Sequence, residues 1–349
     1  MILQELSEAN GISSHEDAVR KIILKAIANH VENIRIDALG NVTAHKPAAT
    51  GKGKLRVMLD AHMDEVGFMA LGVDNDGLLR FTPVGGIDPR ILPGLRVRIG
   101  KKALPGAIIW VPIHKNREQN TVKIENLRID IGASNKEGVN SKVKPGDPIA
   151  FDSQFMELGE RTLRGKAFDD RAGCALLVDV LQGGAYPVDI VAAFTVQEEV
   201  GLRGARVAAQ SLKPDVAFAL ECTSAFDMPD PSGNPDDHDQ TNPSTRLGHG
   251  PALTVMDRSM ITQPRLLRFL RETAESNNIP YQLKTALGGG TDAGAIHTSN
   301  AGIPAAVISI PIRYMHTPAA YLYRSDYNNA LRLVQATLNS ITPHVLERE

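Results

Sequence analysis

The chain has 349 residues, 42% of them hydrophobic, which suffices for one large domain or two of ordinary size with a sizeable buried core. With 38 basic against 40 acidic residues the net charge is -2, so neither nucleic acid nor an anionic membrane is indicated as a partner. No basic stretch followed by an apolar run opens the chain and no segment approaches a membrane span, so a soluble, cytoplasmic protein is expected.

In chain order, Ser14 and Asp17 have the spacing of a capping box ahead of Val19, Ile22, Ile23, Ala26, Ile27 and Val31, which repeat at helical intervals. An apolar run, Leu55 to Leu59, then leads into Asp60, Ala61, His62, Met63, Asp64 and Glu65. From about residue 66 the pattern changes to short strand-like runs (GFMALGV, LLRFTPV, LRVRIG, GAIIWVP, RIDIGA, DPIAFD) separated by turn signals such as Pro93-Gly94 and Pro145-Gly146. Residues 66–161 therefore read as a small β-rich domain inserted between two parts, 1–65 and 162–349, of an α/β domain.

The α/β pattern resumes with GKAFDDRAG, residues 165 to 173, whose Asp169 and Asp170 stand at the start of an apolar helix, Ala172 to Leu181. There unpaired N–H groups and the helix dipole favour ionised carboxylates. A strand from Val188 to Val196 runs into the adjacent acids Glu198 and Glu199, Asp215 to Leu220 ends on Glu221, and Ala305 to Ile310 leads through Arg313 to His316. Such uninterrupted apolar runs are what strands buried on both faces of a parallel sheet look like, and ligands bind beyond the carboxyl ends of those strands. Four runs each delivering His or carboxylate groups to one edge, joined by Asp169, point to a metal centre. An isolated Glu-Glu pair more often marks a solvated turn; here one acid can bind a cation while the other serves as a base.

Other features read as structural. The residues 223–248 make a long Pro/Asp/Asn-rich loop; Gly248 to Pro251 and Gly288 to Gly290 are turn or close-approach signals with little to say for phosphate. Cys174 and Cys222 form no CxxC pair, which excludes a zinc finger, and both read as small buried residues. His297 reads as packing at a helix, and His15, His30, His45, His114, His238, His249 and His344 as surface. Asp292 either holds a substrate amine or caps the helix starting there. The stripe Leu331, Val334, Leu338 and Ile341 marks a C-terminal core helix.

Six motifs, AHMDEVG (61–67), GKAFDDRAG, EEVG (198–201), LECT (220–223), GGTDAG (289–294) and RYMHTP (313–318), together resemble the di-metal aminopeptidases of the glutamyl/deblocking (TET) type, metallopeptidase family forty-two. The resemblance implies a phosphorylase/hydrolase-like α/β catalytic domain, an inserted PDZ-like domain used for assembly into a tetrahedral dodecamer, peptide substrates, and two divalent ions per subunit, zinc first and cobalt or manganese admitted. It implies His62, Asp169 and Glu221 on one metal with Asp169 bridging, Glu199 and His316 on the second, Glu198 as general base, and Asp64 as the acid orienting His62. Three departures stand out: Glu221 occupies a place where many relatives have Asp, GISS (11–14) lacks a glycine usual in that motif, and the 223–248 loop is long. The competing readings are a related di-metal carboxypeptidase or amidohydrolase, a non-catalytic assembly protein with a vestigial metal site, and a glycoside hydrolase, which would leave His62 and His316 without a role.

Overall fold

The structure, a computed structural model, describes residues 1–51, 53, 55–112, 122–228, 245–285 and 287–347. An eleven-stranded mixed sheet forms the larger unit. At its centre lie four adjacent parallel strands in the order Asp189–Thr195, Arg56–His62, Val216–Ser224 and Ala305–Arg313. These are the four apolar runs that end in ligand-type residues. Antiparallel strands extend the sheet, Val42–Lys46 and Glu32–Ile36 on one side and Ala320–Tyr323, Thr162–Gly165 and Met156–Leu158 on the other.

Burial on both faces explains why these strands show no polar alternation. Val57, Leu59, Ile190, Phe194, Phe218, Leu220 and Ile308 pack in one core with the helices Asp17–Ile27, Phe168–Gln182, Pro264–Ser276 and Arg324–Ser340. The intervening residues Met58, Val191, Ala193, Ala217, Ala219, Ala305 and Val307 face Arg203–Leu212 and Asp292–His297. Alanine predominates on this second face, so those two helices approach the sheet closely.

Two of the four runs continue further than their apolar composition suggests. The ladder between Val216–Ser224 and Ala305–Arg313 persists through Glu221–Ser309 to Ser224–Ile312, so Glu221 sits within a strand, not at its end. A buried carboxylate interrupts hydrophobicity without interrupting backbone pairing. The capping box is likewise absent: Ser14 has φ 71°, the helix begins at Asp17 with no side-chain cap bond, and the Ser14 N–H donates to Glu16 Oε1.

The inserted unit is a closed six-stranded barrel whose strands run from Gly67–Val73 to Pro148–Phe151. Phe68 anchors its core, edge-on to Phe81 at 5.1 Å and to Phe151 at 5.5 Å. Met156–Leu158, which falls within the 66–161 span, pairs with Thr162–Gly165 in the main sheet instead.

A buried ion cluster ties the N-terminal segment to the sheet. Glu65 accepts from Lys166 Nζ at 2.6 and 2.7 Å, from the Gly11 N–H at 2.9 Å and from Arg171 at 3.4 Å. Arg171 also donates to the carbonyls of Leu6, Ala9, Gly11 and Met63, which satisfies a guanidinium that has no solvent access. Among the described residues no helix is long and apolar enough to cross a membrane.

Candidate metal centre

Strand register brings the acids together. His62 ends its strand opposite Thr195, and Ala219 stands opposite Asp60, which puts Glu221 level with His62 on the same face. Asp169 and Asp170 interrupt the start of Phe168–Gln182 with non-helical angles, and the peptide bond between them is cis. Asp170 turns inward, accepting from the N–H groups of His62 at 3.3 Å and Gly173 at 3.0 Å, and so caps the regular part of the helix. Asp169 turns outward to the site. Three left-handed non-glycine residues, Ala167, Gln197 and His316, lie at the bends that aim these side chains, local strain that the surrounding contacts hold in place.

The geometry is that of two imidazoles flanking one carboxylate. Asp169 Oδ1 is 3.3 Å from His62 Nε2, and Oδ2 is 3.3 Å from His316 Nε2. Around His62 Nε2 stand Glu221 at 3.8 Å and Glu198 at 4.0 Å; Glu199 is 3.3 Å from His316 Nε2. Among the described residues, His62 with Glu198 and Glu221, His62 with Asp169 and Glu199, and Asp169 with Asp170 and Glu221 offer ligand atoms close enough to share a cation.

Each ring has its other nitrogen fixed. His62 Nδ1 lies 3.1 Å from the Asp64 carbonyl, and His316 Nδ1 lies 2.7 Å from the carbonyl of Gly86, which the inserted barrel supplies. A carbonyl only accepts, so Nδ1 carries the proton and Nε2 presents a lone pair to carboxylate oxygens. Acceptors facing acceptors need a cation between them, and this arrangement fits a divalent metal. With only protons present, burial opposes charging of His316, but Asp169 and Glu199 outweigh it and push the imidazole up to about 11. Burial pushes Glu221 up to about 8 and Glu198 well above the usual carboxylate range, with the neighbouring acids adding to both. Burial opposes ionisation of Asp64 as well, yet His62, Ser13 and the Glu198 N–H lower its pKa.

Asp64 is the hub of the supporting contacts. Its carboxylate accepts from Ser13 Oγ at 2.6 Å and from the N–H groups of Glu198 at 3.0 Å and Glu199 at 3.2 Å. It therefore fixes the turn carrying both acids as well as lying 3.5 Å from His62 Nδ1.

A cavity of about 530 Å³ opens over the cluster, lined by His62, Asp169, Glu198, Glu199, Glu221 and His316 and also by Leu202, Phe226, Lys284, Thr291, Met315 and the glycines 288–290. The Asp292 carboxylate is not on this wall. It is fully buried, accepts from Thr195 Oγ1 at 2.6 Å and faces Asp60, while its N–H donates to Glu221 Oε1 at 3.2 Å. Burial raises both acids, and Asp292 adds to the strong rise at Asp60.

The remaining sequence features fall into place around the site. Cys222 is buried with Sγ against the Phe168 carbonyl, Cys174 with Sγ against that of His62, and burial pushes both thiols well above their usual range. His297 sits in the last turn of its helix with Nδ1 against the Ala293 carbonyl. His45 and His15 are half-buried instead of surface groups, and His45 lies 3.4 Å from Asp189; His114 and His238 lie outside the described residues, as does most of the 223–248 loop. The Gly248 and Gly250 N–H groups grip the buried carboxylate of Asp326 at 2.7 and 2.9 Å, a structural turn and not a phosphate cradle.

Sequence reasoning missed Ser13, Asp60, Glu65, Gly86, Lys166 and Arg171 as partners, whereas Asp170 stands at the helix start where the sequence placed it. Glu65, Lys166 and Arg171 were visible as charges embedded in motifs whose neighbours are buried, the one signal that could have found them. A main-chain carbonyl such as that of Gly86 leaves no signal at all.

Residues 40–333 match the model of the M42 glutamyl aminopeptidase family. The chain belongs to this family. As an M42 peptidase it is a metal-dependent aminopeptidase, a peptide hydrolase, not one of the competing enzyme classes. It is 32% identical over 352 residues to the lysyl aminopeptidase of Pyrococcus furiosus, covering 98% of this chain and 97% of that one. Aminopeptidase APDkam598 of Desulfurococcus kamchatkensis superposes with a TM-score of 0.92 at 35% identity, over 99% and 96% of the two chains. The TET1 peptidase of Pyrococcus horikoshii, which can assemble into a tetrahedron or a large octahedral shell, gives 0.85 at 32% identity over 97% and 99%.

Proposed function

We propose that this M42 peptidase removes N-terminal residues from peptides at a two-cation centre held by His62, Asp169 and Glu221 on one side and Glu199, His316 and Asp169 on the other. The observation that carries this reading is Asp169 presenting one oxygen to each imidazole at 3.3 Å, the arrangement a bridging carboxylate requires. Imidazole nitrogen and carboxylate oxygen without thiolate suit zinc and admit cobalt or manganese. When bound, such ions polarise the scissile carbonyl and lower the pKa of water.

Glu198 is the proposed base. Its side chain lines the cavity 4.0 Å from His62 Nε2, within reach of a water held at the centre, so its carboxylate takes the proton of the attacking water and returns it to the leaving amine. Asp64 positions His62 and, through two N–H contacts, the Glu198-Glu199 turn. The Asp292 N–H supports Glu221 from beneath, while the Asp292 carboxylate, sealed against Asp60 and Thr195, leaves recognition of the substrate amine to groups on the cavity wall. We place the enzyme in the cytoplasm, as two free buried cysteines suggest, and propose assembly into a tetrahedral dodecamer, which the likeness to the P. horikoshii enzyme supports.

Two substitutions separate the roles of the adjacent acids. Glu198→Gln is expected to keep both metals and lose roughly 10² to 10⁴ in kcat. Glu199→Gln is expected to lose one metal. Elemental analysis beside steady-state hydrolysis of aminoacyl-p-nitroanilides tests this, and metal loss in Glu198→Gln would reverse the assignment. Chelation should abolish activity and Zn²⁺, Co²⁺ or Mn²⁺ restore it; full activity in metal-free protein refutes the reading.

A further inference from the structure

The two halves of the metal centre are supported differently. His62 ends the strand Arg56–His62 in register with Thr195, and Glu221 lies inside the ladder of Val216–Ser224, so the hydrogen bonds of the sheet fix both. Glu199 and His316 stand on turns beyond the ends of Asp189–Thr195 and Ala305–Arg313, outside those ladders. Their side chains need another support.

That support comes from the turn that leaves the barrel strand Leu79–Val84. The Gly86 carbonyl accepts from His316 Nδ1 at 2.7 Å, whereas the equivalent contact of His62 is made within the catalytic unit, by the Asp64 carbonyl at 3.1 Å. Gly85 packs against the other ligand. A Cβ on Gly85 would fall 3.3 Å from Glu199 Cβ and 2.8 Å from Val66 Cγ1, and its φ of +84° lies in the left-handed region, so close approach and backbone angle both call for glycine there. A Cβ on Gly86 would meet only ordinary contact, 3.7 Å from His316 Nδ1.

Building on the two-cation centre proposed above, on which this step rests, we infer that the barrel turn at Gly85 and Gly86 is a positioning element for the cation at Glu199 and His316. Gly86 aims the imidazole through its carbonyl, and Gly85 leaves Glu199 room to stand beside it. Partners that orient a ligand in this way are typically worth about 10- to 100-fold in metal affinity. Retention of this cation therefore depends on how the barrel is seated, and the inserted unit is part of the metal site.

Gly85→Ala in the full-length enzyme tests this. The new methyl meets Val66, whose branched side chain is stiff at χ1, and Glu199, so the turn must shift away from the centre. Calorimetric titration of the metal-free protein with Zn²⁺, beside elemental analysis after dialysis, should show one cation held at least about tenfold more weakly and the other unchanged. Gly94→Ala is the control, since it places the same strain, φ +85°, in the same barrel with nothing within 4 Å of the new Cβ; it should keep both cations. Fluorescence of Trp110, which packs with the barrel, shows whether each variant is folded. If Gly85→Ala is not, Gly85→Ala/Val66→Ala removes the 2.8 Å contact, keeps the 3.3 Å one and takes its place. Adding Glu199→Gln locates the loss, because the combined variant should weaken no further cation. Parent affinity for both cations in the folded Gly85 variant, equal losses in Gly85→Ala and Gly94→Ala, or a further cation lost in the combined variant overturns the proposal. Fewer than two cations in the parent enzyme overturns the two-cation centre itself, and the role of the turn with it.

Discussion

Glu65→Gln isolates what the buried ion cluster contributes. The carboxylate is 2% exposed, and both of its oxygens meet the Lys166 ammonium at 2.6 and 2.7 Å, so the substitution leaves that ammonium with a neutral amide and the Ala9 carbonyl at 2.9 Å. Arg171 suffers less, because four backbone carbonyls still satisfy it. Burial already pulls the Lys166 pKa down against the Glu65 charge, so the lone ammonium is the group that decides the cost. Removing one partner of a buried pair costs about 3 to 5 kcal/mol, a large part of the roughly 5 to 15 kcal/mol that stabilises a typical protein. Replacing both groups, Glu65→Gln with Lys166→Met, removes the uncompensated ammonium and should recover stability to within about 2 kcal/mol of the parent. Urea unfolding followed by far-UV circular dichroism measures the cycle; the single tryptophan, Trp110, packs with the barrel and would report on the wrong unit. A single-variant loss below about 1 kcal/mol, or a double variant as unstable as the sum of the singles, refutes the reasoning.

Ser13→Ala removes the 2.6 Å bond to Asp64 and should lower kcat/KM roughly tenfold with the metal content unchanged or slightly reduced, as kinetics paired with elemental analysis would record. Burial, with Asp64 adding, raises the Glu16 pKa from 4.5 to about 7. The folded state therefore binds this proton more tightly than the unfolded state, and stability is lost as pH rises from about 4.5 to about 7, up to on the order of 3 kcal/mol. Glu16→Gln should consequently raise the urea midpoint more at pH 8 than at pH 5, and an equal gain at both would contradict the assignment. Gly250→Ala should lower the melting temperature by several degrees, since its φ is +82° and a Cβ would fall 2.0 Å from the Pro280 carbonyl oxygen; scanning calorimetry would detect it.

Amino-acid order by itself determined the four central parallel strands of the sheet and which residues can reach their edge. Strands such as Asp189–Thr195 and Arg56–His62 must be apolar on both faces to lie between helices, so the polar residues that follow them stand out as the place where the core gives way to chemistry. Turn residues at short intervals likewise marked the barrel. Composition could not mark where pairing ends: Glu221 breaks the apolar run while the ladder continues to Ser224, because hydrogen bonding belongs to the backbone and hydrophobicity to the side chain. Tertiary structure alone decided that Asp292 turns under the site toward Asp60 and Thr195, that Lys166 and Arg171 meet Glu65 across more than a hundred residues, and that a barrel carbonyl at Gly86 orients His316. Each of these depends on strand register and on the direction of a main-chain or side-chain dipole in space, and neither is set by spacing along the chain.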